Sequence, residues 1–239
     1  MKKYVAPTIF ICGFVLTSFL WNPKPDSGSV AVIELFTSQG CSSCPAADKL
    51  LSELSKNENI IPLSFHVSYW NYLGWKDPYS SEQFTERQRT YAKKLKLRSI
   101  YTPQMIVNGT SEFVGSNRSR AESAVKNAIS SQEIRLNAIE QKQNSVVFNY
   151  SISGTIENEW LNVALVERHV KNEVPRGENR GRVLEHDNVV RVFKTLEASQ
   201  SGSVSLTLPG NLNAGNTMVI AYVQKQNTFE ITGAAKLAL

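Results

Sequence analysis

The sequence predicts an α/β domain with an inserted helix, followed by an all-β, sandwich-like C-terminal domain. Between residues 30 and 131, short apolar runs alternate with segments of helical periodicity, whereas residues 132–239 hold short alternating runs separated by turn residues. The length of 239 residues fits one large or two modest domains. A hydrophobic content of 41% and a charged content of 20% are typical of globular proteins and exclude wholesale disorder.

Residues 1–29 form a third segment, which predicts export from the cytoplasm. Lys2 and Lys3 precede an uncharged, mostly apolar run over 4–21, and a turn-rich spacer follows at 22–28. A basic start before an apolar run is typical of an export signal. No clean small-residue cleavage site follows, and about 18 apolar residues are just enough to span a bilayer. We therefore expect a periplasmic or secreted protein, with a cleaved signal and an uncleaved inner-membrane anchor as the alternatives.

The net charge of +5 is a mild excess that does not indicate a nucleic-acid partner. The densest basic stretch, residues 87–98, is interrupted by apolar residues at helical spacing. This pattern favours the solvated face of an amphipathic helix over a contact with nucleic acid. No nucleic-acid partner is therefore expected.

The elements of the first domain follow one another in a recognisable order. A buried strand is predicted over 30–36, and a helix is predicted after Pro45 because apolar residues repeat there at helical spacing. Asn108-Gly109 predicts a hairpin. The other predicted elements are the strand 60–67, the aromatic loop 68–79, the helix 81–97, the hairpin strands 104–107 and 111–114, and the helix 118–131. This order is that of a thioredoxin-like domain with an inserted helix.

Cys41 and Cys44 lie where the first predicted strand leads into the first helix. The free N–H groups and positive dipole end of a helix stabilise a thiolate at the first cysteine, and a gap of two residues lets the second thiol close the ring. Cys41 is therefore the expected nucleophile and Cys44 the resolving cysteine, with Gly40 letting a partner's backbone approach. The third cysteine, Cys12, falls in the export segment. Beyond the redox-active disulfide, no cofactor is expected.

Thr102-Pro103 is the second part of the predicted site. Thioredoxin-type domains place a cis-proline opposite the two cysteines, and Pro103 directly precedes a predicted hairpin strand. A cis bond before proline is a minority state that needs a structural reason, which this position supplies. The backbone of Thr102 is expected to pair with a substrate strand, while Tyr101 and Trp70 are candidate substrate-binding residues. Core packing of the aromatic loop is the alternative role for Trp70.

Two further side chains are candidates for the site. Glu34 is an acid in an otherwise apolar strand upstream of Cys41, and a buried carboxylate there is able to shuttle a proton to Cys44. The alternatives for Glu34 are a solvent-facing position or a pair with a lysine. His66 ends the second predicted strand, where a role in the site and a purely structural role are both open.

These residues predict an exported thiol–disulfide oxidoreductase that acts on protein or small-molecule thiols and disulfides. A copper-binding module is the second hypothesis, because Cys41 and Cys44 would accept copper(I), with His66 as a further ligand. An interaction protein without redox activity is the third. A purely structural disulfide is less favoured because such a small loop gives little stabilisation. A closed zinc site would need four suitably spaced ligands, which the sequence lacks.

Five stretches of the sequence carry a resemblance to a known family. They are residues 36–45, 66–78, 101–105, 176–182 and 186–191. On these stretches the chain resembles the bacterial secreted, thioredoxin-like proteins of domain-of-unknown-function family 1223. The resemblance implies a thioredoxin-like fold, a Gram-negative source and export. It implies no established substrate or activity.

The arginine-rich stretch 176–182 belongs to the second half of the chain, but its residues are of the kind expected at a functional site. One hypothesis is that it packs over Cys41 and stabilises its thiolate through Arg176, Arg180 or Arg182. An interdomain network of salt bridges is the alternative.

Overall fold

The computed structural model describes residues 30–142, 144–210, 212 and 214–239. The predicted export segment, residues 1–29, lies outside the described residues. Among the residues that the structure describes, no helix has the length and apolar character needed to cross a membrane.

The strands are β1 (Ala31–Thr37), β2 (Ile60–His66), β3 (Gln104–Val107), β4 (Ser111–Val114), β5 (Ile134–Lys142), β6 (Ser145–Ile152), β7 (Glu159–Glu173), β8 (Val183–Glu197), β9 (Ser201–Thr207), β10 (Thr217–Lys225) and β11 (Ile231–Ala238). The helices are α1 (Cys44–Leu54), α2 (Glu82–Lys94) and α3 (Arg118–Lys126), with short 3₁₀ turns at Asn71–Leu73 and Ala214–Asn216.

The strands form one large mixed sheet and one small antiparallel sheet. The large sheet has eight strands in the order β11-β10-β7-β8-β2-β1-β3-β4, and the small sheet has three in the order β5-β6-β9. β1 pairs with β2 in parallel and with β3 in antiparallel orientation. The two halves of the chain meet where β8 lies parallel to β2, with Ser64 opposite Val189.

The predicted fold class, a thioredoxin-like α/β domain followed by a separate sandwich-like domain, is wrong. The order of elements in the first half is as predicted, but its strands do not form a sheet of their own. Strands β7, β8, β10 and β11 of the second half continue that sheet beyond β2. Their apolar residues also do not simply alternate: Leu161–Val166 are all buried, which is typical of a central strand covered on both faces.

The large sheet is covered on both faces, and the two faces carry different elements. On one face, Val32 and Phe36 of β1 pack with Phe84 and Tyr91 of α2. On the other face, β1 and β3 pack against α1 and α3, while β7 and β10 pack against the small sheet. The molecule therefore has three layers, and a side chain on β1 faces either α1 or α2 according to its position in the strand.

The helices begin as their sequences predict, but two of them end earlier, since the helix predicted over 81–97 ends at Lys94. Ser81 caps α2 by accepting a hydrogen bond from the Gln83 N–H. The helix predicted over 118–131 ends at Lys126, and Ile129, which was expected to face inward, is exposed. The chain leaves the helix because the Ser130 hydroxyl binds Val30, and because the backbone that follows donates two N–H groups to the carbonyl of Thr232.

Candidate functional site

Cys41 and Cys44 form a disulfide at the start of α1, with their Cα atoms 5.5 Å apart. Cys44 is the first residue of the helix, and Pro45 occupies its first turn, where a missing N–H group costs nothing. The pair therefore lies at the positive end of the helix dipole, as the sequence predicts. Both cysteines are buried, with exposed fractions of 1% and 0%, although Ser42 and Ser43 between them are exposed.

The loop between β7 and β8, residues 174–182, crosses the backbone around Cys41, and we call it the strap. Its Asn179 is fully buried and donates from Nδ2 to the carbonyl oxygens of Gln39 (2.9 Å) and Cys41 (2.8 Å). Its Glu178 accepts the backbone N–H of Ser42 at 2.9 Å. The hypothesis that this loop packs over Cys41 thus agrees with the structure, but the contacts are made by an amide and a carboxylate.

The arginines of the strap do not make the contacts that the sequence suggested. Arg182 donates to Oδ1 of Asn179 at 2.8 Å and so supports the residue that contacts residues 39–44, which we call the cysteine loop. Arg176 lies 3.9 Å from the position that a Cβ atom would take at Gly74. Arg180 is exposed, and its side chain makes no hydrogen bond or ion pair with the described residues.

Gly40 and Trp70 lie together on the other side of the cysteine loop. A Cβ atom at Gly40 would come within 3.0 Å of Trp70 Cβ, so the small residue is needed for the close approach of this tryptophan. Trp70 is half-buried and donates from Nε1 to the Thr102 hydroxyl at 2.8 Å. Gly40, Trp70 and Thr102 are therefore brought together, and Trp70 links the cysteine loop to the segment before Pro103.

The Thr102–Pro103 peptide bond is cis, as predicted. The Pro103 carbonyl accepts the N–H of Gly115. The backbone N–H and carbonyl of Thr102 make no hydrogen bond within the part of the chain that the structure describes. The Tyr101 hydroxyl donates to Glu112, and burial together with that bond raises the pKa of Tyr101.

Glu34 is buried, but the structure does not bring it to the cysteines. Its carboxylate accepts two hydrogen bonds from the guanidinium of Arg87, at 2.6 and 2.7 Å, and further bonds from the hydroxyls of Tyr91 and Tyr222. It lies on the α2 face of β1, whereas Cys44 begins α1 on the opposite face. Only 13% of the Arg87 side chain is exposed, so this residue departs from the solvated face predicted for the basic stretch.

A buried polar cluster lies on the α1 face of the sheet, one helical turn beyond Cys44. Asp48 accepts a hydrogen bond from the Thr37 hydroxyl at 3.2 Å and lies 3.5 Å from Nδ1 of His186. The rings of His186 and His66 meet edge to face, 4.7 Å apart, and Nδ1 of His66 lies 2.7 Å from Asp77. Three buried atoms of this cluster have no hydrogen-bond partner among the described residues: Asp48 Oδ1, His66 Nε2 and His186 Nδ1.

Gln39 connects this cluster to the strap and to the disulfide. Its side chain exchanges two hydrogen bonds with Asn172 of β7 and lies 3.1 Å from Nε2 of His186, while its N–H donates to Asp77. Sequence reasoning missed Gln39, Asp48, Asp77 and Asn179. Asp48 carried a local signal: it follows Cys44 by one turn on the apolar face of a predicted helix, where a charge is unexpected. The other three lie in stretches that carry the family resemblance, but nothing in their own residue types singled them out.

Two residues of this cluster have shifted pKa values: that of Asp77 is lowered and that of His186 is raised. Burial raises the pKa of Asp77, but the attraction of His66 and the hydrogen bonds from His66 and from the N–H groups of Gln39 and Tyr79 outweigh burial and hold that pKa below its usual range. Burial lowers the pKa of His186, but the carboxylates around it, chiefly Asp48, raise it above 6.5.

The raised pKa of His186 predicts a pH dependence of stability. A histidine whose pKa is higher in the folded protein stabilises it fully below the unfolded pKa, and this contribution is lost as pH rises through the folded pKa. We expect the free energy of unfolding to fall as pH rises above 6.5. His186→Gln should remove this dependence, as measured by urea unfolding between about pH 5 and 9. The exposed His169 serves as the control in His169→Gln, and an unchanged pH slope in His186→Gln would contradict the prediction.

The copper alternative needs Cys41 and Cys44 as free thiolates and is not tested by the structure, in which they form a disulfide. Cys41 and Cys44 are joined to each other, and His66 is directed to Asp77 and His186. In the described ranges, no three histidine, cysteine, aspartate or glutamate side chains converge as a metal-binding group.

Comparison with known proteins identifies a family and a solved structure that each cover most of the chain. The sequence model of a family described as "Protein of unknown function (DUF1223)" matches residues 32–224. Protein AGR_C_4864 from Agrobacterium tumefaciens, whose crystal structure is known, is 26% identical, with a TM-score of 0.66 over 88% of this chain and 95% of that one. No curated protein sequence matches the chain.

Two other solved structures have lower similarity. A domain of the outer membrane lipoprotein Omp28 from Porphyromonas gingivalis is 16% identical, with a TM-score of 0.31 over 46% of this chain and 89% of that one. A GH3 beta-glucosidase from Bifidobacterium adolescentis is 14% identical, with a TM-score of 0.22 over 46% of this chain and 17% of that one. At these scores, neither structure bears on fold or function.

Proposed function

Because this chain belongs to the DUF1223 family, whose function is unknown, its activity must be argued from its own residues, and we propose that it is an exported thiol–disulfide oxidoreductase. The observation that carries the proposal is the Cys41–Cys44 disulfide at the N-terminus of α1. A helix N-terminus stabilises the thiolate that such exchange requires. The basic and apolar character of residues 1–29 supports export to the periplasm or beyond.

The reaction transfers two electrons between a substrate dithiol and this disulfide. A substrate thiolate attacks Sγ of Cys41, the Cys41–Cys44 bond breaks, and Cys44 leaves as a thiolate that takes up a proton. A second substrate thiolate then attacks the substrate sulfur of the mixed disulfide and releases Cys41. The substrate is oxidised to a disulfide and the protein is reduced to a dithiol. With the protein in its dithiol form, the reverse sequence reduces a substrate disulfide.

A backbone position beside the cysteines supports a peptide-like substrate. The N–H and carbonyl of Thr102 have no partner among the described residues, and Trp70 holds the Thr102 side chain toward the cysteine loop. Unpaired backbone N–H and carbonyl groups of this kind bind an extended peptide through main-chain hydrogen bonds. Protein thiols and disulfides are therefore the favoured substrate class, with small-molecule thiols as the alternative.

The proposal is tested by the reduction of insulin disulfides with dithiothreitol as the electron source. We expect the wild-type protein to accelerate the reaction and Cys41→Ser to reduce the rate to that of the uncatalysed control. Cys44→Ser should instead accumulate a mixed disulfide at Cys41, because the resolving thiol is missing. Lys49→Ala, an exposed substitution elsewhere on α1, should remain active. A wild-type rate no higher than that of Cys41→Ser would exclude this activity toward protein disulfides.

A further inference from the structure

The strap lies against the backbone around Cys41, and both cysteines of the disulfide are buried. Cys41 and Cys44 have exposed fractions of 1% and 0%, yet exchange requires a nucleophile to approach a sulfur along the bond that breaks. Gly177 of the strap lies close to both Gly40 and Leu73, since a Cβ atom at Gly177 would come within 3.9 Å of Gly40 Cα and 3.7 Å of Leu73. The strap thus fills the space beside the cysteine loop.

Asn179 fastens the strap to the backbone on both sides of Gly40. Its Nδ2 group donates to the carbonyls of Gln39 and Cys41, and its Oδ1 atom accepts from Arg182, so its amide group is satisfied from both ends. The residue has no exposed surface. No shorter or purely apolar side chain at this position would make these bonds.

Glu178 places a carboxylate at the N-terminus of α1. It accepts the Ser42 N–H at 2.9 Å, and hydrogen bonds from the hydroxyl and N–H of Ser42 lower its pKa below the usual range. An ionised carboxylate here occupies a donor beside Cys41 and opposes negative charge on its sulfur. Closing the strap therefore disfavours the thiolate as well as access to it.

We propose that Asn179 and Glu178 are positioning residues that hold the strap closed over the cysteine pair, so that exchange with a partner requires the strap to open. This inference rests on the proposed function for its biological role. The covering itself is a property of the folded chain and is measurable whether or not insulin is a substrate.

The experiment measures the rate at which tris(2-carboxyethyl)phosphine reduces the Cys41–Cys44 disulfide in the native protein, with free thiols alkylated and located by peptide mass. Asn179→Ala loses two hydrogen bonds to the cysteine loop and should react about tenfold faster or more. Glu178→Gln removes the negative charge from the exposed hydrogen bond with Ser42, and its disulfide should be reduced about twofold to threefold faster. After reduction, the pH midpoint for alkylation of Cys41 should be lower in Glu178→Gln than in wild type.

Two controls separate release of the strap from general loss of stability. Arg180→Ala changes an exposed strap residue without side-chain partners among the described residues and should leave the rate unchanged. Val163→Ala weakens the core of β7 and should lower the melting temperature without exposing the disulfide. An unchanged rate in Asn179→Ala, or an equal acceleration in Val163→Ala, would overturn the proposal. Faster reduction of Asn179→Ala without insulin activity would support the strap and count against the proposed enzyme.

Discussion

Replacing Glu34 with glutamine should lower the free energy of unfolding by about 3–5 kcal/mol, because it leaves the charge of Arg87 buried without its partner. Glu34 is 1% exposed, and Arg87 meets it with two hydrogen bonds of 2.6 and 2.7 Å. The guanidinium also lies 4.5 Å from the ring centre of Phe193 and donates to the Tyr222 hydroxyl at 2.8 Å, and neither of these neutral groups replaces the charge of the carboxylate.

The measurement is urea unfolding of wild type, Glu34→Gln, Arg87→Met and the double variant. The double variant should lose less stability than the two single variants combined, because removing both charges leaves neither of them unpaired. The matched control is Glu82→Gln, which breaks an exposed ion pair with Arg89 and should change stability little. Equal stability of Glu34→Gln and Glu82→Gln would show that the buried pair does not hold α2 to the sheet.

The same variant tests the proton relay that the sequence suggested for Glu34. The sheet separates this carboxylate from α1, so folded Glu34→Gln should retain the wild-type rate of disulfide exchange at every pH. A shifted pH profile in the folded variant would restore Glu34 as a proton relay.

Substituting alanine for Gly109 should cost about 3 kcal/mol or more of stability. Gly109 has a φ of +73° in the turn between β3 and β4, a conformation that alanine adopts poorly. A Cβ atom there would also overlap the carbonyl oxygen of Phe229, whose ring packs edge to face on Tyr91 and Trp160. The clash therefore displaces a segment that closes the core beside α2.

Gly181 provides the matched control for this second prediction. Its φ of +74° is nearly the same, but a Cβ atom there would have no heavy atom within 4 Å. Gly181→Ala should therefore cost only the conformational part, about 1–2 kcal/mol. Urea unfolding of both variants separates the steric part from the conformational part, and equal losses would contradict the predicted overlap.

Features of the first half were predictable because short-range sequence signals determine them. Asn108-Gly109 specifies a tight hairpin, and Pro45 after two cysteines marks the start of a helix. The position of Glu34 in β1 was equally clear, but sequence alone did not say which face of the strand α1 would cover.

Long-range pairing was not predictable. Alternating strands in the second half are compatible with an independent sandwich or with extension of an existing sheet, and no local signal distinguishes the two. The deciding contacts span large separations: Asn188 binds the Pro62 carbonyl across 126 residues. Asn179 was overlooked for the same reason, since its partners lie in another element and its arginine neighbours carry the more conspicuous charges.

The separation of 138 residues between Asn179 and Cys41 also has a consequence for biogenesis. A polypeptide emerges N-terminus first from a ribosome or a translocation pore. Both thiols are therefore exposed long before the strap has been synthesised or translocated. Contacts of such high sequence separation form late, because the intervening chain must first be ordered. Oxidation of the nascent chain is thus free to precede burial of the two sulfurs.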